Sequence, residues 1–495
     1  MPRVSVLVLF LLLLVPAASA APSVAFLSVP STGSAQDWVS GVVEEAAPAD
    51  HVVVLYVEVD GRWWGPKPTW AESTTPVRSD GFWNATFVSG GNDIAASRFA
   101  AYLLPRSAVE PGVPPQLAGD AALPASLAGF PHAVSGRPAA APGFVPPIVR
   151  NETDLVGLCV GPYVGGEAPG VTVLAGPVLR ERLAVVAENT TWIRTYGVDG
   201  GLERAGEIAH DLGMKAAVGA WLAADPGANR RSLEALAAIG NAGDADLLVV
   251  GSETLLRGNL SERDLVTYIQ WVRREVPDVP VCTAEPYGEF LARPALVEAS
   301  DLLMVHVYPF WEGGGIDGAA GRTVGAWEQV VAVANGRRVV VGETGWPDAG
   351  SPYGAAVPGP ENAARFLHEA TALFHDRGVP YFYFSAFDEA WKVEEPCGVG
   401  PHWGIWDGAL QLKPGRLPLP PPLISVPGGT SQPTDTDGDG LCDDVNGNNR
   451  ADFADVVLFF NQMTWIAANE PVSAFDYNGN GRIDFADVVW LFNHL

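Results

Sequence analysis

Cysteines and basic residues are few for a chain of 495 residues. The four cysteines are widely spaced, and no two of them have the spacing of zinc ligands: Cys159, Cys282, Cys397 and Cys442. With 30 Lys and Arg against 57 Asp and Glu, the formal net charge is −27, and no basic stripe could bind nucleic acid or an anionic membrane surface. A neutral polymer or a basic partner fits this charge better.

Long apolar runs are also missing, except at the beginning of the chain. Arg3 precedes an apolar stretch over residues 4–15, and residues 18–20 (Ala-Ser-Ala) have the small-x-small pattern of a cleavage site. This pattern predicts a signal peptide over residues 1–20 and a protein that is secreted, either extracellular or associated with the cell surface. An uncleaved anchor is the alternative, although the run is short for a membrane span. No other stretch could cross a bilayer.

Short alternating apolar runs follow, from residue 22 to residue 105. Runs such as "HVVVLYVEVDGRWW" and "GFWNATFV", separated by turn residues, predict a small β-sandwich used as an accessory module. Residues 106–149 are rich in Ala, Pro and Gly, which predicts a linker or an irregular wrap. Four tryptophans of the sandwich could form a sugar-stacking platform, although tryptophans more often fill such a core: Trp63, Trp64, Trp70 and Trp83.

Strands and amphipathic helices alternate over residues 150–415. Eight apolar strands can be counted, at residues 157–163, 192–197, 215–222, 246–253, 279–286, 301–309, 337–346 and 380–388. Eight βα units of this length predict a closed (β/α)8 TIM barrel. A doubly wound open sheet is the alternative, but it has no obvious place for the last two strands.

Glutamates stand at the ends of the fourth and seventh of these strands. In such a barrel the catalytic groups collect at the C-terminal strand ends, where Glu253 and Glu343 are predicted to lie. Carboxylates on opposed strands can approach to about 5 Å, the separation that retaining glycoside hydrolases use: one carboxyl protonates the leaving oxygen and the other attacks the anomeric carbon. The alternative is a structural salt bridge for each glutamate, for example with Arg194 or Arg257.

Several motifs between residues 155 and 415 resemble glycoside hydrolase family 17, the β-1,3-glucanases. They are "GLCVGPYVGGEAPG", "IRTYG", "VGSETLLRG", "VHVYPFW", "VGETGWP", "FSAFDEAWK" and "HWGIWDG", in the family's order. The resemblance implies an enzyme that acts on β-1,3-glucan, as an endo-glucanase or a glucanosyltransferase, without a cofactor for catalysis. It implies these site residues: Glu253 as acid/base, Glu343 as nucleophile, Glu389 and Lys392 as their support, and Tyr196, Ser252, Tyr308 and Trp346 as substrate-binding residues.

Ser252 departs from the family pattern, which usually has Asn directly before the acid/base. A serine side chain is shorter and lacks the paired donor and acceptor of an amide, so the hydrogen bond to the sugar 2-hydroxyl would be weaker. This departure favours an alternative function, a catalytically weak β-glucan-binding or surface-assembly protein. A third possibility keeps the barrel and changes the sugar linkage, because related barrels share these glutamates.

The end of the chain contains a duplicated unit behind a Pro-rich linker at residues 416–434. "DVNGNNRADFADVVLFFN" begins at Asp444 and "DYNGNGRIDFADVVWLFN" at Asp476, within a segment over residues 435–495. Oxygen ligands at this spacing suit Ca²⁺. The predicted ligands are Asp444, Asn446, Asn448, Arg450 (by its carbonyl), Asp452 and Asp455 in the first loop, and Asp476, Asn478, Asn480, Arg482 (by its carbonyl), Asp484 and Asp487 in the second.

Each of these loops is followed by a helix, with Asp at the twelfth position, and no clear helix precedes it. This loop-helix pattern resembles a dockerin. The resemblance implies a cohesin-bearing partner, which the Phe-Ala pairs after the ninth ligand, at residues 453–454 and 485–486, would contact from two equivalent faces. A calcium-stabilised tail without a cohesin partner is the alternative.

Overall fold

A computed structural model describes most of the chain. The described residues are 21–34, 36–109, 113–138, 156–187, 189–416, 423, 425–436, 441–470, 472–478 and 482–494. The predicted signal peptide (residues 1–20), residues 139–149 of the predicted linker, most of the proline run (residues 417–422) and the predicted ligand Asn480 lie outside these residues. The chain divides into two compact units, Met1–Ala139 and Ala140–Leu495. No helix in the described ranges is long and apolar enough to cross a membrane.

The first unit contains two antiparallel sheets. Its strands are β1 (Ser23–Ser28), β2 (Trp38–Glu44), β3 (His51–Val59), β4 (Arg62–Lys67), β5 (Thr75–Pro76), β6 (Phe82–Thr86), β7 (Arg98–Pro105), β8 (Leu117–Asp120) and β9 (His132–Gly136). One sheet has the order β1-β2-β6, and the other has the order β8-β4-β3-β7-β9 with β5 paired to β3. Buried residues of both sheets, including Val39, Leu55 and Phe99, form one apolar cluster. The two sheets therefore share a core, as in a sandwich.

The segment that we expected to be a linker from residue 106 onward is in part folded. Residues 117–120 and 132–136 form β8 and β9, which pair with β4 and β7. Leu117 and Leu127 join a second cluster with Tyr56 and Trp63 on the other face of the larger sheet. The expectation of a linker or an irregular wrap therefore does not hold for residues 117–120 and 132–136, because these short strands pair with strands far away in the sequence and cover an apolar face.

The four tryptophans of this unit divide into two kinds. Trp83 and Trp63 are buried in the two clusters, which is the core role that tryptophans usually have in a small sandwich. Trp64 and Trp70 are 38% and 53% exposed. Only Trp64 and Trp70 therefore remain as candidates for a sugar-stacking platform.

The second unit is built around a closed barrel of eight parallel strands. They are β10 (Val156–Cys159), β11 (Trp192–Arg194), β12 (Lys215–Ala220), β13 (Leu247–Ser252), β14 (Val281–Pro286), β15 (Leu303–His306), β16 (Val339–Thr344) and β17 (Tyr381–Tyr383). Each strand pairs with the next, and β10 pairs with β17, so the sheet closes. The predicted barrel is confirmed, and the alternative of a doubly wound open sheet is wrong.

Amphipathic helices follow the strands of the barrel. They are α1 (Gly176–Ala187), α2 (Ala205–Asp211), α3 (Pro226–Ala242), α4 (Glu262–Glu275), α5 (Tyr287–Ala292), α6 (Pro294–Ala299), α7 (Ala319–Val333) and α8 (Pro360–Asp376). In α4 the Ser261 hydroxyl caps the first turn by accepting the backbone N–H of Asp264, and Leu265, Ile269 and Val272 form the buried stripe. The helices thus hold the strands in place from outside, and the strand ends are left to carry polar groups.

Three further helices follow near the end of the chain: α9 (Phe453–Asn469), α10 (Val472–Phe475) and α11 (Phe485–His494). Asp452 caps α9, where its side chain and that of Asp455 form a reciprocal capping box. Phe459, Tyr477 and Leu491 belong to a separate small core between these helices. The helix that we predicted after each loop is therefore present.

Candidate active site

Glu343 lies near the C-terminal end of β16, where both of its carboxylate oxygens accept hydrogen bonds from phenols. The Tyr196 hydroxyl donates to Oε1 at 2.8 Å, and the Tyr308 hydroxyl donates to Oε2 at 2.8 Å. The Arg194 guanidinium lies 3.0 Å from Oε1. Tyr196 follows β11 and Tyr308 follows β15, so barrel closure brings three strand ends to one carboxylate.

The surroundings of Glu343 favour its ionised form. Burial raises the pKa of this carboxyl, whereas His306, Arg194 and the hydroxyls of Tyr308 and Tyr196 lower it. The lowering is larger than the raising, so the pKa of Glu343 lies below its usual value. Burial also raises the pKa of both tyrosines well above their usual value, so they remain phenols that donate. Glu343 is therefore an ionised carboxylate at neutral pH, as a nucleophile must be.

Glu253 directly follows β13 and is the more accessible of the two glutamates. Its side chain is 28% exposed, against 9% for Glu343. The Glu253 backbone has a φ of 54°, the left-handed region that costs a residue with a side chain about 1 kcal/mol or more. A carboxylate oxygen of Glu253 lies within 4.8 Å of one of Glu343. This separation is near the value of about 5 Å found in retaining glycoside hydrolases.

Glu285 on β14 holds the turn that carries Glu253. Its Oε1 accepts the Thr254 hydroxyl at 2.8 Å and the Leu255 backbone N–H at 3.0 Å. Glu285 is fully buried, and burial raises the pKa of its carboxyl. The carboxylate therefore fixes the two residues after Glu253 and helps to stabilise the left-handed turn.

His306 and Arg194 join the two glutamates, and we did not predict a role in the site for either of them. Arg194 Nη1 can only donate, and it lies 2.9 Å from His306 Nε2. On the other side of the ring, His306 Nδ1 lies 2.7 Å from Glu253 Oε1, to which its N–H donates. Both residues are the last of their strands, β15 and β11, which was the only available indication in the sequence.

Ser252 takes part in the same network. The residue is buried, and its Oγ accepts a hydrogen bond from Arg194 Nη2 at 3.0 Å. Its hydroxyl therefore supports Arg194 beneath the two glutamates. The structural salt bridge that we considered for Glu343 does form with Arg194, and it is part of the site rather than an alternative to it.

Glu389 and Lys392 form a buried ion pair after β17. Lys392 Nζ lies 2.6 Å from Glu389 Oε2, and the Trp391 indole N–H donates to Glu389 Oε1 at 3.2 Å. Burial raises the pKa of Glu389 despite Lys392, and the nearby glutamates raise the pKa of Lys392 despite its burial. Gly161 leaves the space for this pair, since a Cβ there would lie 2.0 Å from Glu389 Oε1.

Trp346 is not placed as we expected. Its side chain is fully buried, packs against Phe310 and Phe366, and donates its indole N–H to the Val357 carbonyl. A residue in this position cannot contact a substrate, so the expectation that Trp346 borders the site was wrong.

Within the described part of the chain, three side chains come together closely enough to hold a metal ion: Glu253, His306 and Glu343. Both ring nitrogens of His306 are already engaged, with Glu253 and Arg194. His306 therefore has no free ring nitrogen for a metal ion, and it connects Glu253 to Arg194 instead.

The predicted calcium loops contain buried carboxylates. Asp444, Asp455 and Asp487 are fully buried. Asp444 accepts the backbone N–H groups of residues 448 and 449, Asp455 those of residues 446 and 452, and Asp487 those of residues 478 and 484. Burial and the charges of Asp444 and Asp452 raise the pKa of Asp455. Carboxylate oxygens are of the type that a hard cation binds, but in the described ranges the acidic side chains of these loops do not come as close together as Glu253, His306 and Glu343 do.

Three further predicted ligands contact other groups of the same loops or are buried. Asn446 is buried, and Asn478 donates its amide N–H to Asp487 Oδ1 at 2.7 Å. Arg482 forms an ion pair with Asp484 at 2.7 Å.

Comparisons with known proteins are consistent with this geometry. The family described as the BtgE/BtgC glycoside hydrolase domain matches residues 157–404, about half of the chain. A glucan 1,3-β-glucosidase of Arthroderma benhamiae is 33% identical over 239 residues, which are 44% of this chain and 76% of the relative. A probable glucan endo-1,3-β-glucosidase of Aspergillus fumigatus is 29% identical over 268 residues, which are 47% of this chain but only 38% of that relative.

Solved structures that are similar to the chain include a glycoside hydrolase family 17 β-1,3-glucanosyltransferase from Rhizomucor miehei. It is 31% identical, with a TM-score of 0.47, and the match covers 53% of this chain and 97% of that one. An active-site mutant of the same Rhizomucor enzyme, in complex with laminaritriose, is 30% identical with a TM-score of 0.48 and covers 54% of this chain and 98% of that one.

Proposed function

Because the chain belongs to the BtgE/BtgC glycoside hydrolase family and is similar to a glucan 1,3-β-glucosidase and a probable glucan endo-1,3-β-glucosidase, we propose that it is a secreted retaining enzyme that cleaves β-1,3-glucan. The enzyme acts either as an endo-glucanase or as a glucanosyltransferase. The observation that carries the proposal is the pair of carboxylates, Glu253 and Glu343, with oxygens within 4.8 Å at the C-terminal end of the barrel.

The first step uses the two glutamates in different protonation states. The ionised Glu343 attacks the anomeric carbon, and the bond from that carbon to the leaving oxygen breaks. Glu253 in its protonated form gives its proton to that oxygen, leaving a glycosyl ester on Glu343. The hydroxyls of Tyr196 and Tyr308 hold the carboxylate of Glu343 in position before the attack.

The second step returns both glutamates to their starting state. Glu253, now ionised, takes a proton from water or from a sugar hydroxyl, and that oxygen attacks the anomeric carbon while the bond to Glu343 breaks. His306 Nδ1–H donates to Glu253 and stabilises its ionised form during this step. Water gives hydrolysis and a sugar hydroxyl gives transfer, with retention of configuration in both cases.

The stereochemistry of the first product tests this assignment. Proton NMR spectra recorded during the first minutes of glucan cleavage should show new reducing ends as the β-anomer, with the α-anomer appearing later by mutarotation. An α-anomer at the outset would mean that a water attacks directly, and the nucleophile role of Glu343 would be wrong.

Ser252 supports a second candidate function, a catalytically weak β-glucan-binding or surface-assembly protein. The Ser252 hydroxyl accepts from Arg194 and the residue is buried, so it offers a sugar less than the amide of the family's Asn would. Ser252→Asn decides between the two functions. If the wild type binds glucan without cleaving it and the variant gains cleavage, the protein is a binding protein; if the wild type already cleaves, it is an enzyme.

We also propose that the C-terminal segment binds calcium and docks to a cohesin-bearing protein. The loop carboxylates would hold Ca²⁺ through oxygen atoms, and each loop would then fix the start of the helix that follows it, α9 or α11. Support comes from the buried Asp444, Asp455 and Asp487, since buried carboxylates need a compensating charge.

An exposed apolar surface supports the docking proposal. We call it the docking patch; it consists of Phe453, Val457, Phe460, Phe485, Val489 and Phe492, all of them exposed. Phe453 packs on Phe492 with ring centroids 6.0 Å apart, and Phe460 packs on Phe485 at the same distance. Phe453 and Phe485 hold equivalent positions in the two repeats, and so do Phe460 and Phe492. Each ring contact therefore joins one residue from each repeat, and the patch offers a partner two similar faces.

Binding to immobilised cohesin with and without calcium tests this part. We expect EDTA to abolish binding and excess Ca²⁺ to restore it. The variant Phe453→Ala/Phe485→Ala should bind weakly even with calcium, because it loses a ring from each face. Binding that is the same in EDTA would contradict the calcium-dependent docking.

A further inference from the structure

Trp221 is an exposed tryptophan on the Glu253 side of the barrel mouth, and the mechanism above does not use it. It directly follows β12, the strand next to β13, which carries Glu253. Its side chain is 49% exposed. Parallel strands of a barrel end at the same rim, so Trp221 lies on the rim next to Glu253.

The ring of Trp221 is held in place by Arg257. The Arg257 guanidinium lies over the ring, with Cζ 4.2 Å from the ring centroid. The same guanidinium is fixed, because Nη2 donates to the carbonyls of Leu222 at 3.0 Å and Ser252 at 2.8 Å. Arg257 therefore covers one face of the indole and ties it to the residue before Glu253, while the exposed fraction belongs to the other face and the edge.

Three aromatic residues on the Glu343 side of the barrel mouth are arranged differently. Tyr308, Phe384 and Trp403 pack on one another with ring centroids 5.4 to 5.9 Å apart, next to Glu343. Phe384 and Trp403 are buried. These rings pack edge to face on one another, whereas Trp221 is backed by a cation and remains half exposed.

The position beside Glu253 indicates which sugar would use this face. Glu253 gives its proton to the leaving oxygen and later takes one from the incoming hydroxyl, so the leaving sugar and the acceptor sugar both lie on its side of the cleft. A flat apolar ring face at this position would pack against the C–H face of a sugar ring. Exposed Leu256, three residues after Glu253, adds apolar surface on the same turn.

We infer that Trp221, backed by Arg257, is the stacking platform for the acceptor sugar of a β-glucan and sets how much of the glycosyl-enzyme goes to sugar rather than to water. This inference rests on the proposed function. In transfer, the acceptor hydroxyl loses its proton to Glu253 and its oxygen replaces Glu343 at the anomeric carbon. Without the platform, water takes the place of the acceptor in the same step.

The first experiment compares Trp221→Ala and Trp221→Phe with the wild type on a short β-1,3-gluco-oligosaccharide. The ratio of transfer to hydrolysis products should fall about tenfold in Trp221→Ala and less in Trp221→Phe, which keeps a ring. Val331→Ala on α7 is the matched control, an exposed apolar side chain on an outer helix, and should not change the ratio.

A second readout separates acceptor binding from the chemistry of the first step. Release of the phenol from an aryl β-glucoside needs no sugar on the leaving side, so Trp221→Ala should release it at a rate within about twofold of the wild type. A transfer ratio that is unchanged, or a phenol release that falls as much as the ratio, would overturn the platform.

Calorimetric binding to the Glu343→Gln protein distinguishes failure of this inference from failure of the proposed function. Adding Trp221→Ala should weaken binding of the oligosaccharide about tenfold. If the wild type cleaves no glucan but this loss of affinity occurs, the platform is correct and the enzyme function is wrong. If the wild type cleaves glucan and Trp221→Ala leaves the affinity of the Glu343→Gln protein unchanged, only the platform is wrong. If the Glu343→Gln protein binds no oligosaccharide at all, the platform is wrong as well.

Discussion

Glu343 is kept ionised in a buried position by donors that come from other strands. Two phenols, one guanidinium and a histidine surround it, and together they more than offset the cost of burial. A carboxylate held in this way is less basic than one in water, but it is fixed in orientation before the substrate arrives. The geometry therefore favours attack by Glu343 over its protonation.

Tyr308→Phe tests the contribution of the phenols. Loss of the donor to Oε2 raises the pKa of Glu343, so the acidic limb of the kcat/KM profile should move to higher pH. We expect kcat/KM at neutral pH to fall about tenfold to a hundredfold, since a hydrogen bond to a charged group is worth about 1.5–3 kcal/mol. Tyr381→Phe on β17, packed against Phe374, is the control. An unshifted acidic limb would contradict the role of Tyr308.

Single residues of the site could be predicted only where their position on a strand was informative. Glu253 and Glu343 stood out because a carboxylate at the end of a buried strand has no structural explanation in the local sequence. Arg194 was considered only as a structural salt-bridge partner, and His306 was missed, because their partners come from distant strands and become neighbours only when the barrel closes. Trp346 was misplaced because a sequence motif does not show which way a ring turns at a strand end.

At the scale of the elements, the residues that follow β10, the first strand of the barrel, meet the loop after β17, the last strand, at Gly161. A Cβ at this position would lie 2.0 Å from Glu389 Oε1, so Gly161→Ala should displace Glu389 and break its pair with Lys392. We expect at least a tenfold loss of kcat and a loss of unfolding free energy of about 1–3 kcal/mol. Gly166→Ala, where a Cβ would meet nothing within 4 Å, is the control on the same loop. Steady-state kinetics and urea unfolding measure both effects.

The turn after β13 offers a second test at this scale. Glu285→Leu removes the acceptor for Thr254 and Leu255, so the left-handed turn at Glu253 loses its support and kcat should fall more than about tenfold. Glu285→Gln keeps an acceptor oxygen, and most of the activity should return, because burial already disfavours the charge. If Gln and Leu were equally inactive, the charge itself would be required and the positioning role would be wrong.

Elements with a strong repeating pattern could be predicted, and elements that depend on distant pairing could not. The barrel strands and helices followed from runs of apolar residues that alternate with amphipathic stretches. The eighth strand is shorter than its apolar run, since β17 ends at Tyr383 where the chain leaves the sheet. Strands β8 and β9 were missed because a Pro- and Gly-rich sequence has little strand character until it pairs with β4 and β7.

At the scale of the whole molecule, cleavage and docking are assigned to separate parts of the chain. The glutamates lie in the barrel, and the predicted calcium ligands lie after residue 434. The duplicated loop sequence and the proline-rich segment before it predict a separate C-terminal module, and this stays a prediction. A specific partner could not be predicted, because exposed phenylalanines show an apolar surface but not the protein that covers it.

Removal of calcium should therefore affect one module and spare the other. In differential scanning calorimetry, EDTA should lower the unfolding temperature of the C-terminal transition, because ligand loss destabilises only the fold that binds it. The rate of glucan cleavage at moderate temperature should stay the same. Asp455→Asn should reproduce the effect of EDTA. Equal loss of cleavage and of the C-terminal transition would mean that the two parts do not act separately.

The most direct test of the central claim is the release of reducing sugar from linear β-1,3-glucan by the mature protein, measured beside Glu343→Gln. The account predicts release by the wild type and a rate lower by about a thousandfold or more in the variant, which keeps the shape of the side chain but cannot attack the anomeric carbon. Equal rates in both proteins, or glucan that both bind and neither cleaves, would contradict the assignment of Glu343 as the nucleophile of a glycoside hydrolase.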